Sequence, residues 1–208
     1  MDRRFRLVAI FVATGILAAG AARVFWRKER VICPAGTRPD RARHARIASQ
    51  LRAGLGRLSK RTDAQQLAGA WREADAWCFG KRSEVQEGGP LFLDSTVDDG
   101  EAAARAGHLL LHRLVAPPWP PTSGLSCDQR VRQALVAEGR AFALELELRR
   151  VLGVTKPRVS YAFAADSDGV AGAAAIEAIL ASHPEGAPGV PALGHAYAER
   201  CRQEARKR

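Results

Sequence analysis

His108 and His112 stand four residues apart in the segment Gly107-His108-Leu109-Leu110-Leu111-His112. On an α-helix that spacing places both imidazoles on one face. Two imidazoles on one face can serve a single metal ion, zinc above all. The residue after the first histidine is Leu109, which carries no proton to give or take, so the pair offers ligands without a general base beside them. The competing reading is a helix with two ordinary histidines, in which Leu109, Leu110 and Leu111 are simply core. The remaining histidines offer less. His44 lies in an arginine-rich stretch and is expected to be solvated, His183 precedes Pro184 in a loop, and His195 opens the last helix. Asp166 and Asp168 lack the glutamate that an EF-hand loop needs at its twelfth position, which is Ile176, and they read as a helix start. No Gly-rich phosphate loop, G-x-S-x-G elbow or C-x-x-C pair occurs.

The elements that must position the two histidines can be read from capping and breaking residues. Asp98-Asp99 suits the start of their helix, with acidic side chains at its positive end, and Pro117-Pro118-Trp119-Pro120-Pro121 stops it. Before it, Pro90 to Asp94 is a short apolar run expected to form an edge strand. After it, Ser126 or Asp128 caps a helix that runs to about Leu152 and ends at Gly153. Further helices are expected over Arg41–Leu58, from Thr62 to about Trp77, over Asp166–Ala181 and from Ala192 to about Arg206, with a polar loop over Lys81–Gly89. The class is mainly α with a small β element, that is, α+β.

The segment Phe92-Leu93-Asp94 followed by Glu101-Ala102-Ala103-Ala104-Arg105-Ala106-Gly107-His108-Leu109-Leu110-Leu111-His112 resembles the core of zincin-type metallopeptidases, in which a strand precedes a helix reading A-H-E-x-x-H. The resemblance covers Leu91 to Leu152 and departs from the motif at Leu109. It implies a third ligand from the next helix, where Ala137-Glu138-Gly139-Arg140-Ala141-Phe142 falls 26 residues after His112. The implied metal set is therefore His108, His112 and Glu138, with zinc as the cofactor. In an intact site the motif glutamate takes the proton of a zinc-bound water. Leu109 cannot, so the implied protein is metallopeptidase-like without peptidase activity and retains a metal or a peptide-like partner. Glu145 lies two turns beyond Glu138 and is not expected to act as the base. Leu109→Glu would rebuild the motif. The alternatives are a metal-free envelope domain with a structural or interaction role, and an active zinc hydrolase with a non-standard base.

The chain of 208 residues divides by charge. Residues 1–61 hold 15 Lys/Arg against 3 Asp/Glu, and residues 62–208 hold 17 against 19. A near-neutral folded part argues against nucleic-acid binding despite the net charge of +10. The basic residues flank Leu7–Trp26, a stretch about as long as a bilayer-spanning helix, and would meet anionic lipid headgroups there. Two readings stay open for residues 1–30: an uncleaved single-pass anchor, or a signal segment cleaved near Ala19-Gly20-Ala21. Residues 31–40 read as a linker and 41–208 as one mainly helical domain. Cys33, Cys78, Cys127 and Cys201 are widely spaced, and two disulfides would suit an exported domain on the outer face of the membrane. Three connectivities are open, among them Cys33–Cys78 with Cys127–Cys201; four independent buried thiols are the alternative.

Overall fold

The computed structural model describes residues 33–72, 77–85, 89–119, 124–164 and 172–206. In chain order these form α1 (Arg41–Arg57), α2 (Thr62–Ala70), β1 (Trp77–Gly80), β2 (Glu84–Val85), β3 (Leu91–Asp94), α3 (Asp99–Leu114), α4 (Cys127–Leu152), a 3-10 turn (Ala162–Ala164), α5 (Ala173–Ser182) and α6 (Leu193–Arg206). The mainly helical α+β class is as expected.

The helix that carries the histidines is set by its ends. The Asp98 carboxylate accepts the Glu101 amide and caps α3. The backbone leaves the helix at Val115, ahead of Pro117, whose ring could not continue the i→i−4 bonding. Helix α4 opens on a capping box, with the Ser126 hydroxyl and the Gln129 side chain each meeting the other's backbone. It closes at Gly153, whose φ of 72° is the left-handed conformation that glycine adopts without a Cβ penalty.

Eleven of the sixteen residues of α3 are buried, so this helix is covered on nearly every side. One hydrophobic core joins it to α1, α2 and the sheet through Ile47, Leu51, Leu67, Leu91, Leu110 and Leu148. A second core lies on the opposite flank of α4 and gathers Phe142, Leu146, Tyr161, Phe163, Ile176 and Leu180 from α4, α5 and the 3-10 turn. Helix α4 thus belongs to both.

Several expectations need correction. The second helix stops at Ala70, and Trp77 to Gly80 is a strand rather than a helix end. The strand Leu91–Asp94 is not at an edge: it pairs in parallel with β1 and antiparallel with β2, in the order β1-β3-β2. Its Leu91, Phe92 and Leu93 are all buried, as suits a strand covered on both faces rather than an alternating edge. The polar loop contains the short β2. His44 is not simply solvated, since its ring lies 4.3 Å from that of Trp77. Asp166 and Asp168 lie outside the described residues.

The expectation of a single-pass membrane protein does not stand. Among the described residues no helix is both long and apolar enough to cross a membrane. The longest, α4, has 26 residues but carries Arg130, Arg132, Glu138, Arg140, Glu145, Glu147, Arg149 and Arg150. The segment Leu7–Trp26, with its basic flanks, lies outside the described residues. The cysteines form Cys33–Cys78 and Cys127–Cys201. The first ties the entry of the domain to β1, next to an antiparallel bridge between Arg38 and Phe79. The second ties the start of α4 to α6.

Candidate metal centre

Helices α3 and α4 meet along a polar seam. On α3 its residues are Glu101, Arg105, His108 and His112; on α4 they are Glu138, Phe142, Glu145 and Arg149. Both sets follow the same spacing of four, three and four, which is one helical stripe. The stripes run antiparallel, because His112 meets Glu138 while Glu101 meets Arg149. Every charged group of the seam except Arg105 is less than a tenth exposed, and Glu145 is fully buried.

At one end, the three residues of the expected ligand set converge. Glu138 Oε2 lies 3.5 Å from His108 Nε2 and 3.2 Å from His112 Nε2. The three donor atoms all lie within 4.8 Å of one another. Bonds of about 2.0–2.1 Å at tetrahedral angles put donors roughly 3.3 Å apart, so these separations suit one ion. The other ring nitrogen of each histidine stands close to an oxygen. His112 Nδ1 lies 3.1 Å from the Ala116 carbonyl, which can only accept, so Nδ1 carries a proton toward it. That carbonyl is available because the chain has left the helix ahead of Pro117. His108 Nδ1 lies 2.9 Å from Glu145 Oε2, although off the ideal hydrogen-bond direction. Phe142 meets the His108 ring edge-on at 4.6 Å and closes its apolar side.

His112 Nε2 is buried and has no hydrogen-bond partner among the described residues, although the Glu138 carboxylate faces it. An imidazole nitrogen this close to a carboxylate oxygen needs a proton or a metal cation between them. Burial on its own would push the Glu138 carboxyl up, but the neighbouring His108 and His112 more than offset it and hold the group well below the usual carboxylate range. The Tyr197 hydroxyl of α6 donates to the second oxygen, Oε1. Burial and the Glu138 charge keep that phenol protonated, its pKa pushed far up.

Behind His108 the seam continues as an ion network. Glu145 accepts from Arg149 at 2.6 Å and from Arg105 at 2.9 Å. The Tyr161 hydroxyl lies 3.1 Å from Arg105 and 3.4 Å from Glu145. Burial acts to raise the Glu145 carboxyl, and Arg105, His108 and Arg149 outweigh it and hold it ionised. Glu101 accepts the backbone amides of Arg158 and Val159.

The arrangement separates binding from hydrolysis. Leu109 is 5% exposed and packs in the first core, on a face of α3 that belongs to the hydrophobic interior. A glutamate there would enter that interior, so Leu109→Glu does not simply rebuild a base. Glu145 cannot replace it either, because it touches the nitrogen of His108 that points away from Glu138. It stands where an orienting carboxylate stands behind a metal-bound histidine.

Arg105 and Arg149 do carry a signal in the matching stripes of Glu101–His112 and Glu138–Arg149, whereas Tyr161 lies outside both helices and carries none. Tyr197 carries none, lying 59 residues from its partner. Comparison of the chain with family models, with curated proteins and with solved structures finds no match. These comparisons identify no zincin-type domain.

Proposed function

We propose that this domain is a metal-binding module, zincin-like in its helix pair and without peptidase activity, in which His108, His112 and Glu138 hold one divalent ion between α3 and α4. The observation that carries the reading is the convergence of two imidazole Nε2 atoms on one carboxylate oxygen, with His112 Nδ1 on the Ala116 carbonyl and His108 Nδ1 2.9 Å from Glu145. That is how a protein presets a metal site: the outer acceptors fix tautomer and ring orientation before the ion arrives. Nitrogen and carboxylate donors favour an ion of borderline softness, and zinc suits a compact site with no redox demand. The cysteines do not compete, being paired in disulfides elsewhere.

Charge supports the same reading. Glu101, Glu138 and Glu145 face Arg105 and Arg149, so with neutral imidazoles the seam carries an excess of negative charge. A bound cation offsets it, whereas an unpaired buried carboxylate is costly. When bound, zinc would act as a Lewis acid, but the chain supplies no carboxylate at the Leu109 position to take a proton from a coordinated water. The role we assign is structural, a clamp between two helices.

The test is the metal content of the full chain, purified without a histidine tag and measured by elemental mass spectrometry. About one zinc per chain is expected, absent in His108→Ala and at least tenfold weaker in Glu138→Gln. The zinc-loaded chain should cleave a fluorogenic peptide library no faster than His108→Ala. Absence of any metal after reconstitution would overturn the reading and leave a metal-free helical domain. Cleavage that His108→Ala abolishes would instead point to a hydrolase.

A further inference from the structure

The buried residues of α6 are Gly194 and Cys201. Leu193 and Tyr197 are partly buried against the second core, and specific ties add to that packing. One is covalent, from Cys201 to Cys127 in the first turn of α4. A second is the ion pair between Glu204 and Arg130 of α4, 2.7 Å apart, and a third is made by Tyr197, which lies one turn before Cys201 and on the same helix face. Its hydroxyl donates to Glu138 Oε1. Its ring stacks on Trp119 with centroids 5.6 Å apart. Trp119 in turn lies under the Arg130 guanidinium and donates to Glu204 of α6.

We propose that the Cys127–Cys201 disulfide sets the metal affinity of the His108–His112–Glu138 site, with Tyr197 as the positioning residue that connects them. This inference rests on the metal reading above. With the disulfide closed, Tyr197 is held on Oε1, and Oε2 is turned toward the two imidazoles. With it open, α6 loses its covalent tie, Tyr197 leaves Glu138, and the carboxylate must be ordered at the expense of metal binding. Opening takes two electrons and two protons from a dithiol reductant: the S–S bond breaks, Cys127 and Cys201 become thiols, and the reductant closes to its own disulfide. The coupling is reciprocal, so bound metal makes this disulfide harder to reduce by the same factor. The other disulfide, Cys33–Cys78, has no such route, since it ends on β1.

The test is zinc affinity of the full-length oxidised chain, read by competition with a chromophoric chelator. Cys127→Ala/Cys201→Ala opens the link without leaving thiols that could bind zinc themselves. Tyr197→Phe removes the hydroxyl alone, and Cys33→Ala/Cys78→Ala is the control. Roughly tenfold weaker binding is expected for the first two, with no further loss when they are combined, and unchanged affinity for the control. Circular dichroism checks that each variant is folded. Should the first variant fail to fold, Tyr197→Phe decides alone. Wild-type affinity in Tyr197→Phe, or in the folded disulfide-free variant, overturns the coupling while the metal reading stands. An equal loss in the control also overturns it. An oxidised wild-type chain that takes no zinc removes both.

Discussion

Glu145 is the most deeply buried charge among the described residues, and its worth depends on what surrounds it. Burial would raise its carboxyl, but Arg105, His108 and Arg149 hold it well below its ordinary value of 4.5. A carboxyl depressed on folding contributes stability that is fully present above its unfolded value and is lost as pH falls from there toward the folded value. The metal-free protein should therefore lose stability below about pH 4.5, and Glu145→Gln should flatten that loss. At neutral pH the same variant leaves Arg105 and Arg149 without their shared counter-charge, at a cost of about 3–5 kcal/mol. Urea unfolding of the chelator-treated chain at pH 7 and pH 3.5 reads both effects; an unchanged acid slope in the variant would remove Glu145 from this role.

At the scale of elements, two close approaches fix the distance between helices on either side of the ligands. Gly107 precedes His108, and a Cβ there would come within 2.4 Å of the Leu148 side chain. Gly139 follows Glu138, and a Cβ there would sit 2.5 Å from the Ala173 carbonyl oxygen. A leucine tip can rotate away, but a backbone carbonyl cannot move without shifting α5. Gly139→Ala should thus push α5 off α4 and cost about 1–3 kcal/mol, although alanine has the better helix propensity. Thermal unfolding measures this, and a stabilised variant would show that α5 yields freely. Because Glu138 is the adjacent residue, zinc affinity should fall in step.

For the whole molecule, the seam lies between two hydrophobic cores that share α4 and otherwise draw on different elements. An ion that binds the folded state and not the unfolded chain stabilises by about 2.7 kcal/mol at a hundred times its dissociation constant. For a domain of this size that corresponds to a shift in Tm of roughly 5–10 °C. Removal of metal from the wild-type chain with a chelator should lower Tm by about that amount, and the same treatment should leave His108→Ala unmoved. An equal fall in His108→Ala would place the chelator's effect elsewhere.

The local determinants of this protein were legible in the chain. The capping residues Asp98 and Ser126, the stop at Pro117 and the glycine at 153 act within a turn of where they stand, so α3 and α4 could be read with nearly correct ends. The spacing of His108 and His112 is likewise a property of one helix. Glu138 came from a family resemblance rather than from the residues themselves. What a single segment cannot express was decided by the tertiary structure. Leu91–Asp94 became a central strand only because β1 and β2 lie on both sides of it. His108 and His112 face Glu138 from one side, with Glu145 and the Ala116 carbonyl behind them, only because the two helices pack in this register. Tyr197 reached Glu138 because α6 folds back across α4 under a disulfide. Hydrogen bonds and ion pairs act over a few ångströms, and only the packing of distant segments determines which groups come that close.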